Sequence, residues 1–199
     1  MDRSPHRFVA LVAAVLVSAS APVALAGTAV RLSVAELVQR ADLCLEGRVT
    51  AARAILEPGK RIDTEYTVAV ERTFWGEAQA SRAIRIPGGV LPDGSGMLIP
   101  GLPSLAVGDE AILFLSKADS AGMRMPIGLA QGRMVVATDR FGKKRVVRDQ
   151  AGLAWASPAG ASGSVQPAPV QLADARAVIE YSGVVADIEA AVAAKRVRK

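Results

Sequence analysis

Hydrophobic and polar positions alternate with period two through the first half of the chain. Between Leu43 and Leu56, residues Leu43, Leu45, Gly47, Val49 and Ala51 share one parity, and Asp42, Cys44, Glu46, Arg48 and Thr50 surround them on the other. That pattern predicts a strand with one apolar face. Glu57-Pro58-Gly59-Lys60 is a turn sequence, and Arg61 to Phe74 resumes the alternation with Ile62, Tyr66, Val68 and Val70 on one side. The pair predicts a long hairpin that ends at Trp75-Gly76. A third, short strand is expected at Arg82 to Ile86, stopped by Pro87-Gly88-Gly89. Glu110 to Ser116 is a continuous apolar run, the mark of a strand buried on both faces. Arg133 to Thr138 and Lys144 to Arg148 predict a second hairpin across Asp139 to Lys143.

Helical signals flank these strands. Ser33 followed by Glu36 is a capping box ahead of Val34, Leu37 and Val38, so a short helix is expected to run to about Arg40. Residues 171–199 are Ala-rich, with Leu172, Ala175 and Ile179 on one helical face and Val185, Ile188 and Val192 on another. This tail is expected to be helical, with a break at Ser182-Gly183. Residues 151–170 are rich in Ala, Gly, Ser and Pro and suit a linker, with Trp155 as a residue that could dock. Between the third and fourth strands, residues 88–109 hold six Gly and three Pro, which predicts a long irregular loop.

The first 26 residues set the compartment. Arg3, His6 and Arg7 precede the apolar run Phe8 to Val17, and Ala24-Leu25-Ala26 fits a signal-peptidase site. A secretory signal peptide over 1–26 is expected, with a mature start at Gly27 and a secreted or periplasmic location. The residue directly after that site is Gly27 and not Cys, so a lipid anchor is not expected. The expected organisation is then a domain over 27–150, the linker over 151–170 and a basic helical tail over 171–199.

The architecture these elements suggest is mainly β, a small OB-like antiparallel barrel with a short N-terminal helix and a C-terminal helical segment. An immunoglobulin-like sandwich is the alternative, but it needs about seven short, evenly spaced strands, and the first two here are long.

Composition removes much chemistry. The chain has one His, His6 in the leader, and one Cys, Cys44. The mature chain therefore lacks the side chains for a His/Cys zinc site, a Ser-His-Asp or Cys-His hydrolase, or an internal disulfide. The Gly-rich loop lacks the Gly-Lys-Ser/Thr ending of a phosphate-binding P-loop. The acidic groupings are Asp109-Glu110, Asp63 with Glu65, and Asp93, and none has the spacing of a calcium loop. We expect no catalytic residue, no metal and no cofactor.

Net charge is +5, and the cations cluster at Arg140, Lys143, Lys144, Arg145 and Arg148 and at the C-terminus. Such clusters suit weak contact with an anionic envelope surface. With only Phe141 interleaved, and with export expected, nucleic acid is not expected as a partner.

The motifs also carry a resemblance. The order RADLCLEGRV, IDTEYTVAVERTFWG, IRIPGG, GDEAILFLS and IGLAQGRMVV, spanning Ser33 to Val136, resembles a group of uncharacterised secreted bacterial proteins. More distantly, Ala41-Asp42, Tyr66 and Phe74-Trp75-Gly76 are similar to the netrin-like OB domain of tissue inhibitors of metalloproteinases. The resemblance implies an OB barrel and a secreted protein, such as a protease, as partner. It does not carry over the inhibitory N-terminal Cys, because Gly27 stands there. The residues expected to meet a partner are Pro87, Gly88, Gly89, Asp93 and Met97 in the loop, and Arg140, Lys143, Lys144 and Arg145 on the basic hairpin.

Overall fold

The computed structural model describes residues 27–59, 61–150, 153–156, 167–168 and 176–198. The expected signal peptide and most of the expected linker lie outside the described residues. In chain order the elements are β1 (Gly27–Ala29), α1 (Val34–Arg40), β2 (Leu43–Leu56), β3 (Ile62–Trp75), β4 (Ser81–Pro87), β5 (Gly89–Val90), β6 (Gly96–Met97) and β7 (Glu110–Leu115). A short 3-10 turn at Leu129–Gly132 leads to β8 (Arg133–Thr138), β9 (Lys144–Asp149), β10 (Leu153–Ala156), β11 (Pro167–Ala168), β12 (Arg176–Glu180) and α2 (Tyr181–Val197).

The protein is mainly β, as its alternation predicts. Seven antiparallel strands form one sheet in the order β12-β9-β8-β7-β2-β3-β4. The strands do not close into a barrel. β4 is one edge and β12 the other. Residues 123–127 span the gap between β7 and β4 with isolated bridges, Leu115 with Pro126 and Arg85 with Met123, in place of a continuous ladder. A short three-stranded sheet, β1-β10-β11, is separate, and in it Trp155 pairs through its backbone with Ala29.

β2 explains why the sheet bends. Three irregularities interrupt its pairing with β3, at Cys44/Leu45, Glu46/Gly47 and Val49/Ala51. Bulges of this kind increase local twist. Gly47 lies at one of them. A Cβ there would sit 2.5 Å from the Ala69 carbonyl oxygen and 2.7 Å from Val68 Cγ1.

The sheet carries a core on each face. On the curled face, Leu43, Leu45, Val49, Tyr66, Val68, Ile84, Ile86 and Leu113 pack together under Leu102 and Leu105 from the long loop. On the other face, Cys44, Phe74, Ile112, Phe114, Met134 and Val146 pack against Leu37 and Val38 of α1 and Val184, Ile188 and Val192 of α2. The apolar run of β7 serves both faces at once, so it shows no alternation.

α1 starts as its sequence predicts. The Ser33 side chain accepts from the Glu36 N–H, and the Glu36 carboxylate accepts from the Ser33 N–H. Its other end is held by α2. The buried Lys195 donates its ammonium hydrogens to the carbonyls of Val38 and Ala41, and sits 4.6 Å above the Trp75 ring.

The tail differs from the expected helix. Residues 176–180 form β12, paired with β9 from Arg176↔Asp149 to Glu180↔Arg145. The helix begins only at Tyr181 and runs through Ser182-Gly183 without a break. An unpaired β9 edge was available, and its ladder of hydrogen bonds outweighed the local helical preference of an Ala-containing segment. Among the described residues no helix is long and apolar enough to cross a membrane.

Two outcomes follow from this packing. Replacing Gly47 with Ala is expected to destabilise the fold by about 1–3 kcal/mol, the usual range for overpacking, read as a lower urea midpoint. Cys44 is buried, and burial pushes its thiol well above the ordinary range. Alkylating reagents are therefore expected to leave it unlabelled in the native protein and to label it fully in urea.

Candidate functional site

The long loop is an anchored structure. β5 and β6 pair across Gly89↔Met97 and Val90↔Gly96 to make a small hairpin. Gly88 donates to the Ile62 carbonyl at 2.7 Å, and Thr64 Oγ1 donates to the Gly88 carbonyl at 2.6 Å. Gly89 has φ +146, and any side chain on it would run into Thr64 Oγ1. Glycine is required there for both reasons. Farther on, Ala130 donates to the Gly101 carbonyl, Arg133 to the Ser104 carbonyl and Gly108 to the Val49 carbonyl.

Below the hairpin lies an apolar cavity of about 280 Å³. Tyr66 and Ile86 come from the sheet, Pro87, Gly88, Gly89 and Met97 from the hairpin, and Ile99, Leu102 and Pro103 from the loop. Two aliphatic side chains remain in water beside it, Val90 at 68% and Leu98 at 89% exposure. The sequence placed Pro87, Gly88, Gly89 and Met97 at this site, and the structure brings them together. Asp93 is at the hairpin tip, not in the cavity lining. Its carboxylate accepts from the Ser95 N–H and hydroxyl, which holds it below the usual carboxylate range. It shapes the turn.

The basic hairpin is largely neutralised by its own neighbours. Lys144 reaches Glu110 at 2.6 Å and both Glu46 and Glu71 at 3.6 Å. Arg145 pairs with Asp139 and Glu180. Asp139 also accepts from the N–H groups of Phe141 and Lys143, closing the turn. Lys143 is exposed, and the Arg140 guanidinium stacks 4.7 Å from the centre of the exposed Phe141 ring. The loop and the basic turn are separate features. One lies beside β3 and the other joins β8 to β9, with β7 and β2 between them in the sheet.

A third grouping was not visible in the sequence. Glu46, Glu71 and Glu110 bring carboxylate oxygens within 4.8 Å of one another. Three acids so close could hold a cation, but the Lys144 ammonium already sits among them. Glu46 is almost wholly buried, and the Tyr181 hydroxyl lies 2.8–2.9 Å from its two oxygens. The Tyr181 hydroxyl is pushed up to about 12, by burial first and then by its bond to the Glu46 carboxylate. Lys144 is likewise raised, chiefly by its bond to Glu110. The signal that could have found this group is the pairing of β2 with β7, which puts Glu46 beside Ile112 and Arg48 opposite Glu110.

Another cavity, of about 680 Å³, is an open polar cleft between Thr73–Ala78 and Arg196. Its Arg82 and Arg124 guanidiniums donate to the backbone carbonyls of Glu77 and Ser116. No family model, curated protein or solved structure matches this chain.

The Tyr181–Glu46 contact has a pH signature. Tyr181→Phe leaves the buried carboxylate short of a donor and is expected to cost about 1–2 kcal/mol at neutral pH. In the wild type the folded state holds the Tyr181 proton above pH 10, whereas the unfolded chain releases it. The stability linked to that proton is complete below pH 10 and lost as pH rises towards about 12. Urea denaturation of wild type and variant across this window is expected to show their difference narrowing.

Proposed function

We propose that this protein is a non-catalytic binding module that works outside the cytoplasm. It holds another secreted or envelope protein through the 88–104 loop. The observation that carries the reading is the pair of water-exposed aliphatic side chains, Val90 and Leu98, fixed by a hydrogen-bonded hairpin beside an apolar cavity. A rigid loop keeps its conformational entropy cost of binding low, and an apolar pocket offers an anchor point for a partner side chain. The leader-like pattern of residues 1–26 supports the compartment, and the similarity to netrin-like inhibitor domains makes a protease the partner class to try first.

The hairpin between β8 and β9 supports a secondary contact. Phe141 is 73% exposed between Arg140 and Lys143, a pattern suited to an anionic envelope surface. Lys144 and Arg145 add little to it, because their charges are spent internally.

The test is capture from the secreted fraction of the native host with the mature chain as bait. Val90→Ser with Leu98→Ser is expected to lose a partner held by wild type while melting at the same temperature. Arg140→Gln with Lys143→Gln is expected to retain it. A partner held equally by the Val90/Leu98 double variant would refute the loop as the recognition surface.

A further inference from the structure

The cavity beneath the β5–β6 hairpin holds one polar group that the packing of the loop does not use. Tyr66 rises from β3 to line it and is 6% exposed. Its side chain packs in the curled core with Val68 and Ile84. A tyrosine so deep in a core normally finds a partner for its hydroxyl. Tyr181, the other tyrosine of the chain, spends its hydroxyl on Glu46. Among the described residues the Tyr66 hydroxyl has no hydrogen-bond partner, and it is not sealed from solvent. It therefore opens on the cavity that its ring lines.

The walls limit what could meet it. Beyond Tyr66 the described lining is aliphatic, proline and glycine, with Ser104 exposed at the rim, and no described lining residue is charged. A charged group placed there would lose its water without gaining a counter-charge, so the occupant is neutral. The volume of about 280 Å³ sets its size. A cavity of about 150 Å³ holds one benzene, and pockets for drug-sized molecules begin near about 300 Å³. One ring with its linking methylene is the fit.

Orientation selects among rings. Tyr66 and Ile86 stand at the sheet end of the cavity, and the exposed Val90 and Leu98 mark its mouth. A side chain that enters ring first puts its para position deepest. Interface anchors are drawn chiefly from Trp, Tyr and Arg. Arginine brings a charge that the described wall does not match. Tryptophan carries its N–H on the flank of the indole. Tyrosine carries a hydroxyl at its tip, at the end where Tyr66 stands, and each phenol can donate or accept.

We propose that the cavity is a socket for a tyrosine side chain of the partner protein, with the incoming phenol hydrogen-bonded to the Tyr66 hydroxyl. The assignment rests on the loop as the recognition surface and names the residue it recognises. The bonds of Gly88 to Ile62 and Thr64 hold the socket in shape before the partner arrives, which keeps the ordering cost of binding low.

NMR titration of the whole mature chain with N-acetyltyrosinamide, N-acetylphenylalaninamide and N-acetylargininamide tests the proposal without the partner, with the Met97 methyl and the Gly88, Gly89 and Gly96 amides as reporters. Wild type is expected to bind the tyrosine amide about two- to tenfold more tightly than the phenylalanine amide, the span of one net hydrogen bond, and the arginine amide more weakly than either. Tyr66→Phe is expected to melt no lower than wild type, to bind the tyrosine and phenylalanine amides equally, and to leave the phenylalanine amide's affinity as it was. Met97→Trp, which fills the cavity from β6, is expected to abolish binding of both. Should Tyr66→Phe fail to fold, the order of the three amides on wild type still decides. Equal binding of the tyrosine and phenylalanine amides to wild type, a tyrosine preference that survives in Tyr66→Phe, tighter binding of the arginine amide, or no saturable shift with any of the three overturns the proposal. Such a failure leaves the loop reading standing, because that reading is decided by capture with the Val90/Leu98 double variant and not by these amides.

Discussion

The fold depends on one constraint, that β2 is buried on both faces along its first five residues. Leu43 and Leu45 enter the curled core, while Cys44 enters the core under the helices. Because β2 also pairs with β3 on one side and β7 on the other, neither core can form without fixing the other. The bulges are how the strand manages this. They turn its second half, from Thr50 onward, out towards water, so that the 14-residue element is core at one end and surface at the other.

That arrangement has a polar cost at Glu46, which continues the buried run. A carboxylate there must be paired, and its partners come from far along the chain: Lys144 on β9 and Tyr181 at the start of α2. The same chemistry recurs at Asp63, fully buried on β3, which Arg61 grips with two hydrogen bonds while Arg85 lies 3.3 Å away. Buried acids with long-range partners specify one register among several. They fix which strand lies beside which, and so the position of the loop that β3 and β4 carry.

Local signals were legible where the residues answer only to their neighbours. Ser33 and Glu36 make a cap that any reader of four residues can see, and the alternation of β2 places its ends correctly. Long-range effects were not legible. Arg176 to Glu180 reads as helix because its strand partner, β9, is 27 or more residues away, and Gly183 passes through α2 since the packing of Val184, Val185 and Ile188 outweighs its propensity. The expected barrel failed to close for a related reason. Residues 116–127 contribute isolated bridges in place of a ladder, with Pro126 unable to donate. At the candidate site, the glycines and Pro87 were readable as turn chemistry, but the exposure of Val90 and Leu98 was not. The basic hairpin was readable as charge, but not as charge already neutralised by Glu46, Glu110 and Glu180.

The Lys195 bond to Ala41 joins residues 154 positions apart, and that to Val38 joins residues 157 apart. A chain delivered from its N-terminus exposes α1 and β2 first, yet the carbonyls that end α1 find their donor only when the last helix arrives. The first core therefore cannot be completed piecemeal. Until that last helix docks, the carbonyls of Val38 and Ala41 lack the ammonium donor that the folded protein gives them.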